Sequence, residues 1–472
     1  MKEHSTKRTP EMTECNSVQT GALKKQTRSP EAKHVDVLVI GGGPSGVGAA
    51  FAAARLGAKV LIIEQFNCLG GVGTAAGHGH MSILCAWQTH TRVVGGIAHE
   101  ICRRIHDEGF GKSDHYGSMY EVEGLKFIYD KMAKECGVEV LFHTFFCETI
   151  MEGDRAVGAV VQNKSGRYPI YAKRVIDCTG DGDPAFSAGA PCEIGRAGDH
   201  RCQPVTMMFT IGGVDWPRVL EARAGDWVLT KTWELAQRNG DMEPFQSCVM
   251  GFWWSPTRPD QVGVNFTHMT NIDTTKTEEL SAATIEGRRQ AWHMMPVFRK
   301  YVPGMENCYM ISTPGTVGLR ESRRAMGDYV LTEDDMHAHR EFEDSIGYGS
   351  FFIDIHNLDG PGMAKTTRRP DPGFKYQIPF RILCPRNVEN LLVAGRCVSV
   401  THVGLGSLRV MIQCILMGEA AGTAAALSIR QDVPARQVDV KTLQAELRAR
   451  GGILSEEDIA KANTPTPALA EA

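Results

Sequence analysis

The chain has 14 cysteines in 472 residues but no Cys-x-x-Cys pair. That spacing marks most structural zinc, iron–sulfur and dithiol sites, so no metal centre of these kinds is expected. The scattered thiols read as buried free cysteines of a cytoplasmic protein, kept reduced by their compartment. Neither sign of charge is in excess: 51 Lys and Arg stand against 55 Asp and Glu, a net charge of −4. This balance leaves no electrostatic basis for a nucleic acid or an anionic membrane as partner. No apolar run approaches the ~18 residues that cross a bilayer. Residues 1–33 are polar and hold no apolar segment of the kind a secretory signal needs, so they read as a flexible tail.

What is present begins at His34. The stretch HVDVLVIGGGPSGVGAAFAAARLGAKVLIIE, residues 34–64, reads as a strand, a glycine turn, a helix and a second strand ending on an acid. Gly41, Gly43 and Gly46 form Gly-x-Gly-x-x-Gly. The first permits a sharp turn, the second lets backbone N–H groups approach a pyrophosphate, and the third brings helix 45–56 close to the strand. Pro44 and Ser45 open that helix, whose N-terminus offers partial positive charge to phosphate. Glu64 follows Gly46 by 18 residues. A carboxylate there accepts hydrogen bonds from a ribose and repels a 2′-phosphate. The turn alone does not separate FAD from NAD. No second strand–Gly-x-Gly-x-x-Gly–helix occurs, so NAD(P)H has no expected domain of its own.

Further along, residues 67–80 (NCLGGVGTAAGHGH) form a glycine-rich loop suited to pressing backbone against a flat ligand. Helices are expected over 97–107 and 125–135, and a strand over 138–142. Segments 144–150, 156–162 and 168–172 alternate like an antiparallel meander, and 174–177 is a short buried strand closed by CTGDGD. Composition changes near residue 203: five of the seven tryptophans fall between Trp216 and Trp254. There PVTMMFTIGGV, CVMGFWWSP and QVGVNFTHM read as strands of a second sheet, followed by a long helix over 277–301. A strand over 390–394, a loop over 395–407 and a small-residue helix over 408–429 close the pattern. The expected class is α/β. A Rossmann-like domain with a central parallel sheet is split in sequence (34–202, 311–330 and 381–455). An inserted α+β substrate domain with an antiparallel sheet takes 203–310, and 331–380 belongs to it or to the interface. Residues 456–472 read as a second flexible tail.

With these segments identified, the chain resembles the FAD-dependent oxidoreductases of the glutathione-reductase-like superfamily. Within it, the chain is similar to the broad group carrying G-x-R-E-S-R-R, I-D-x-H and A-G-R-x-x-S-x-T-H. Here these are Gly318–Arg324, Ile353–His356 and Ala394–His402. The resemblance implies an extended FAD, with its pyrophosphate on Gly41–Gly46 and its adenosine ribose on Glu64. It implies a flavin end near Gly70, Gly71 and Thr74. Thr179 and Gly180 would line the cofactor site, where Cys178 replaces the small Ala common in relatives. Gly395 and Arg396 would meet the ribityl–phosphate region, and the backbone from Gly404 through Gly406 to Ser407 the pyrimidine edge. A helix start there would stabilise the negative charge of reduced flavin.

In such an enzyme the cofactor handles the hydride, while protein groups orient substrate and move a proton. His402, in the loop before the cofactor helix, is the first choice for proton transfer. His356 shares a strand face with Asp354, which can set its tautomer. Arg320 offers a fork for a substrate carboxylate or the flavin edge, although Glu321, Arg323 and Arg324 beside it fit a structural ion network equally well. Arg381 and Arg409 are weaker candidates of the same kind. His78 and His80 are candidates for the active-site wall, and one or two tryptophans of 216–292 for the pocket. His337 and His339 read as solvated. The expected activity is a dehydrogenase or oxidase acting on a small polar organic substrate, with oxygen or another acceptor taking the electrons. Alternatives are a monooxygenase using free NAD(P)H and a flavoprotein electron-transfer subunit. A homo-oligomer is left open.

Overall fold

The structure is a computed structural model. It describes residues 30–464 apart from 115, 224, 227, 247–250, 366 and 368. The remainder of both expected tails lies outside the described residues, as does the CVM of the expected strand CVMGFWWSP. Five parallel strands form the centre, in the spatial order Glu139–Leu141, Val60–Ile63, Lys33–Ile40, the second half of Gly166–Asp177, and Leu391–Val393. Val37–Ile40 is buried on both faces, as an apolar run without alternation requires. The first half of Gly166–Asp177 pairs antiparallel with Arg155–Asn163, which pairs with Phe145–Glu152. The two strands expected at 168–172 and 174–177 are therefore one. No turn residue separates them, and Lys173 keeps the alternation by pointing out to Asp36 at 2.8 Å.

Helix Pro44–Arg55 lies against helix Met411–Gln431 with almost no side chain between them. A Cβ at Gly418 would sit 2.0 Å from the Ser45 carbonyl oxygen, and one at Gly422 would sit 2.1 Å from that of Ala49. Helix Met411–Gln431 is long and apolar enough to cross a bilayer by composition, yet 94% of its most apolar window is buried inside the protein. The helix expected over 408–429 is two helices, His402–Leu408 and Met411–Gln431. The first starts inside the expected loop because Thr401 caps it, accepting a hydrogen bond from the Gly404 N–H at 3.0 Å.

A four-stranded antiparallel sheet forms a second body, in the order Gly251–Ser255, Arg258–Asn265, Phe209–Gly212, Tyr309–Ser312. Helix Thr277–Tyr301 covers one face, and Phe209, Trp233, Phe252, Phe266 and Phe298 fill the core between them. The ladder of Ser345–Gly349 with Tyr376–Pro379 buries Ile346, Tyr348, Tyr376 and Ile378 in the core of the parallel sheet instead. Within the expected C-terminal tail, Glu456–Ala462 is a helix, capped by Ser455 and acidic in its first turn. Beyond it, Asn463 exchanges hydrogen bonds of 2.8 and 2.9 Å with the Arg92 backbone. Seven residues are too few for sequence periodicity to reveal.

Candidate functional site

The three glycines of the first turn do three different things. Gly41 has φ +98, and a Cβ there would lie 2.6 Å from the Cys178 carbonyl oxygen. A Cβ at Gly46 would lie 2.0 Å from the Gly41 oxygen, so this glycine sets the helix-to-turn approach. At Gly43 a Cβ would meet nothing closer than 4.0 Å. Space is therefore left above the middle glycine, where a phosphate would need it. Behind Pro44, the N–H groups of Ser45 and Gly46 have no partner among the described residues. Glu64 is buried, and its two oxygens accept from the N–H groups of Gly42 at 2.7 Å and Phe66 at 2.8 Å. Burial raises its pKa against these backbone bonds. A carboxylate has about four lone-pair positions, so acceptor capacity for a ribose remains.

The other predicted cofactor residues converge on this turn. The Gly70 N–H donates to the Gly42 oxygen at 2.7 Å, and a Cβ at Gly71 would lie 3.0 Å from Gly43 Cα. Both thus abut the phosphate turn. The Thr74 hydroxyl is turned inward onto the Leu69 oxygen at 2.6 Å. Thr179 binds Asp177 through its N–H and hydroxyl. Burial pushes the Asp177 pKa up to about 7. Arg396 lies over Gly180, donates to Asp181 at 3.1 Å, and leaves its buried Nη1 without a partner among the described residues. Gly395, at φ +94, brings the chain against the Ser45 side chain. A turn with open space, free N–H groups and an unpaired guanidinium nitrogen fits a dinucleotide pyrophosphate and its sugars.

At the expected pyrimidine edge, the side faces are filled by protein. A Cβ at Gly406 would lie 2.9 Å from the Asp354 oxygen, and one at Gly404 would lie 2.9 Å from Val400. The Ser407 hydroxyl is bonded to the Tyr376 hydroxyl at 2.7 Å and to the Phe351 oxygen. The helix still offers the N–H groups of His402 and Val403, which have no partner among the described residues. Sequence reasoning missed a second such start. Helix Met411–Gln431 leaves its first three N–H groups without partners among the described residues, and the Gln413 amide there is buried and unpaired.

Two polar clusters flank this region. In one, His402 Nδ1 lies 2.8 Å from the fully buried Glu321, which also accepts from the Gln203 N–H at 3.0 Å. This fixes the ring and leaves Nε2 outward. Arg323 and Arg324 do form the network that the sequence left open, binding Asp183 at 2.7 Å and the Gly195 oxygen at 2.8 Å. Arg320 takes no part in it. Arg320 turns into the second cluster and donates to the Pro204 oxygen and the Thr206 hydroxyl. No carboxylate lies within ion-pair reach of it among the described residues, and burial together with Arg409 lowers its pKa to about 9.

Arg409 binds Asp354 at 3.0 Å, and His356 Nε2 lies 3.6 Å from the same carboxylate. Burial opposes ionisation of Asp354, but the imidazole and the two guanidinium groups outweigh it and hold the carboxyl well below its ordinary range. Burial, reinforced by Arg320, drives the His356 pKa down to about 3, so the ring is neutral. Its Nδ1 has no partner among the described residues. His268, which sequence reasoning missed, lies 5.9 Å from the His356 ring and is lowered to about 4 by burial and Arg320. Burial, with His80, Arg320 and Arg409 adding to it, lowers His78 to about 3. His78 packs on Trp253 at 4.3 Å. Arg381 lies apart, paired with Asp344 at 3.0 Å on an exposed face, and His337 and His339 are exposed.

Among curated proteins, the thiamine thiazole synthase of Aeropyrum pernix is 34% identical over 142 residues, covering 30% of this chain and 46% of that protein. Its counterpart in Methanosarcina barkeri is 34% identical over 131 residues, covering 27% and 45%. The chain thus spans about half the length of these relatives. Among solved structures, p-nitrophenol 4-monooxygenase from Pseudomonas putida aligns over 91% of this chain and 93% of its own, at 12% identity and a TM-score of 0.44. A geranylgeranyl bacteriochlorophyll reductase-like protein from Thermoplasma acidophilum aligns over 92% and 96%, at 14% identity and a TM-score of 0.42. A family model described as FAD dependent oxidoreductase matches residues 36–447. The chain, with its nucleotide turn, belongs to this family of FAD-dependent enzymes.

Proposed function

We propose that the enzyme oxidises a small organic acid bearing a hydroxyl or amino group, passing a hydride to FAD. One observation carries this reading. Arg320 is a buried guanidinium that no carboxylate among the described residues binds directly; it shares the one charge of Asp354 with Arg409 and lies within the field of the neutral rings of His78, His268 and His356. A desolvated cation of this kind calls for an anionic ligand. A planar fork suits a carboxylate. When bound, FAD supplies the hydride acceptor.

The chain's own residues do the rest. Arg320 binds the carboxylate and fixes the substrate's orientation. The arriving negative charge offsets the field of the two arginines, so the proton affinity of His356 rises as substrate binds. His356 Nδ1 then takes the proton from the hydroxyl or amine. Arg409 holds Asp354, which steadies the His356 ring. Buried free thiols such as Cys178, Cys397 and Cys414 accord with a reducing cytoplasm. The acceptor that reoxidises the enzyme, oxygen or another, is part of the same test.

Anaerobic mixing of the yellow holoenzyme with a panel of 2-hydroxy and 2-amino acids should bleach the flavin, and readmitted air reports whether oxygen restores it. Arg320→Met should lower kcat/KM by about 100-fold or more, the usual scale for leaving a buried charge unpaired. Bleaching by NAD(P)H alone, with every acid inert, overturns the reading in favour of a monooxygenase.

A further inference from the structure

We propose that the substrate carries a planar aromatic group beyond its acidic head, and that this group lies in a groove against Trp253. The proposal rests on the anionic-substrate reading above and names the rest of the molecule. The groove measures about 450 Å³ and runs between the loop Thr74–Gly79 and the open face of the four-stranded sheet. That size falls in the roughly 300–1,000 Å³ range of sites for ligands with many heavy atoms, more than a bare hydroxy acid fills.

The sheet's alternation gives the groove its character. Phe252, Val264 and Phe209 are cross-strand neighbours on the core face. One residue along, Trp253, Gly263 and Thr210 form the row on the opposite face, and all three line the groove. Gly263 needs no left-handed backbone, and a Cβ there would meet nothing closer than 3.7 Å. The fold thus leaves a trough in mid-sheet that packing does not demand. Beside it, the Trp253 indole is fixed: its ring lies across Gly251, and His78 packs on it at 4.3 Å. Arg320 donates to the Thr206 hydroxyl, and Met208, two residues further along the same segment, lines the groove, so the cationic cluster lies at its inner end. An indole held by these contacts beside a vacant glycine gives another ring an aromatic wall to pack against. Ile311 closes the far side. Nearer the mouth, Lys126 and Arg258 are neutralised by Glu123 at 2.7 Å and Glu121 at 3.1 Å. Charge recognition is thereby left to Arg320.

The test titrates the oxidised holoenzyme with acetate, phenylacetate and indole-3-acetate, reading the shift of the flavin's visible spectrum. Affinity should rise at least ten-fold from acetate to indole-3-acetate. Gly263→Val fills the trough and should remove most of that gain. Trp253→Leu should do the same, and Trp253→Phe should restore it. FAD content of each variant confirms its fold. Arg320→Met should weaken all three ligands together. Equal affinities for the three acids, or an aryl preference that survives both Gly263→Val and Trp253→Leu, would overturn the aryl subsite while Arg320 dependence keeps the anion reading intact. Acids that bind irrespective of Arg320, or none that bind, would overturn both.

Discussion

A Cβ on Gly418 would stand 2.0 Å from a backbone oxygen, whereas one on Gly263 would have 3.7 Å to its nearest neighbour. Both glycines lie within regular secondary structure, one in the long helix of the nucleotide body and one in the sheet of the other. In the nucleotide body glycine lets backbones touch, so the fold itself requires it. In the sheet it leaves room for something outside the chain. The sharpest way to break this contrast is to replace both by valine. Gly418→Val should cost about 3 kcal/mol or more, because two helix backbones must separate, and FAD should be lost with it. Gly263→Val should change stability by less than about 0.5 kcal/mol, as is usual away from packed features. Chemical denaturation of the two holoenzyme variants measures both. Similar losses would mean that the trough is a packing requirement after all.

The same contrast explains what could be read before the structure. The nucleotide body speaks through local signals: a strand, three glycines at fixed spacing, a helix and an acid. Its first elements follow from them, while the places of Gly180 and Gly395 come only from the family resemblance. The cationic cluster around Arg320 has no such grammar. Arg320, His356 and Arg409 come from three separated segments, and His268 comes from a fourth. Their meeting depends on long-range register, which periodicity does not encode. Glu321 was visible within its motif, but its tie to His402 was not, because 81 residues separate them. The break between Leu408 and Met411 was hidden for another reason. Val410 has good apolar character for a helix, and only its extended backbone (φ −70, ψ 152) ends one helix and caps the next.

The nucleotide turn's surroundings and the cationic cluster also titrate with opposite sign. Burial raises Glu419 and Asp177, beside the parallel sheet and its long helix, to about 7. The folded state then keeps protons that the unfolded chain has already released, so this contribution is present at low pH and is lost as pH rises to about 7. Around the cationic cluster, burial lowers His78 and His356 to about 3. There the unfolded chain binds protons below about 6.5 that the folded state refuses, so stability is lost as pH falls. Glu419→Gln keeps an acceptor for the Ile97 N–H, which Glu419 now binds at 2.9 Å. Relative to the parent, it should gain roughly 2 kcal/mol between pH 5 and 7. His356→Gln should gain a similar amount in the other direction, as pH drops from 6.5 to 5. Thermal midpoints against pH at fixed excess FAD report both. Gains on the same side of neutrality would end the distinction.

The smallest expected effect lies where the bodies meet. At the tip of the hairpin Gly251–Asn265, the Thr257 hydroxyl donates to Glu121, and Arg258 pairs with the same carboxylate at 3.1 Å. Glu121 belongs to the nucleotide side, at the start of helix Val122–Cys136. The Arg258 side chain is 59% exposed, so water screens the pair, and its loss should cost under about 1 kcal/mol. The same bonds hold the hairpin tip down beside the groove mouth. Glu121→Ala should therefore leave the thermal midpoint almost unchanged while amide exchange at residues 255–258 accelerates, with Val37–Ile40 as the unaffected reference. A drop of several degrees would instead make the contact part of the scaffold, and the hairpin would then belong to the rigid body whose glycines cannot be replaced.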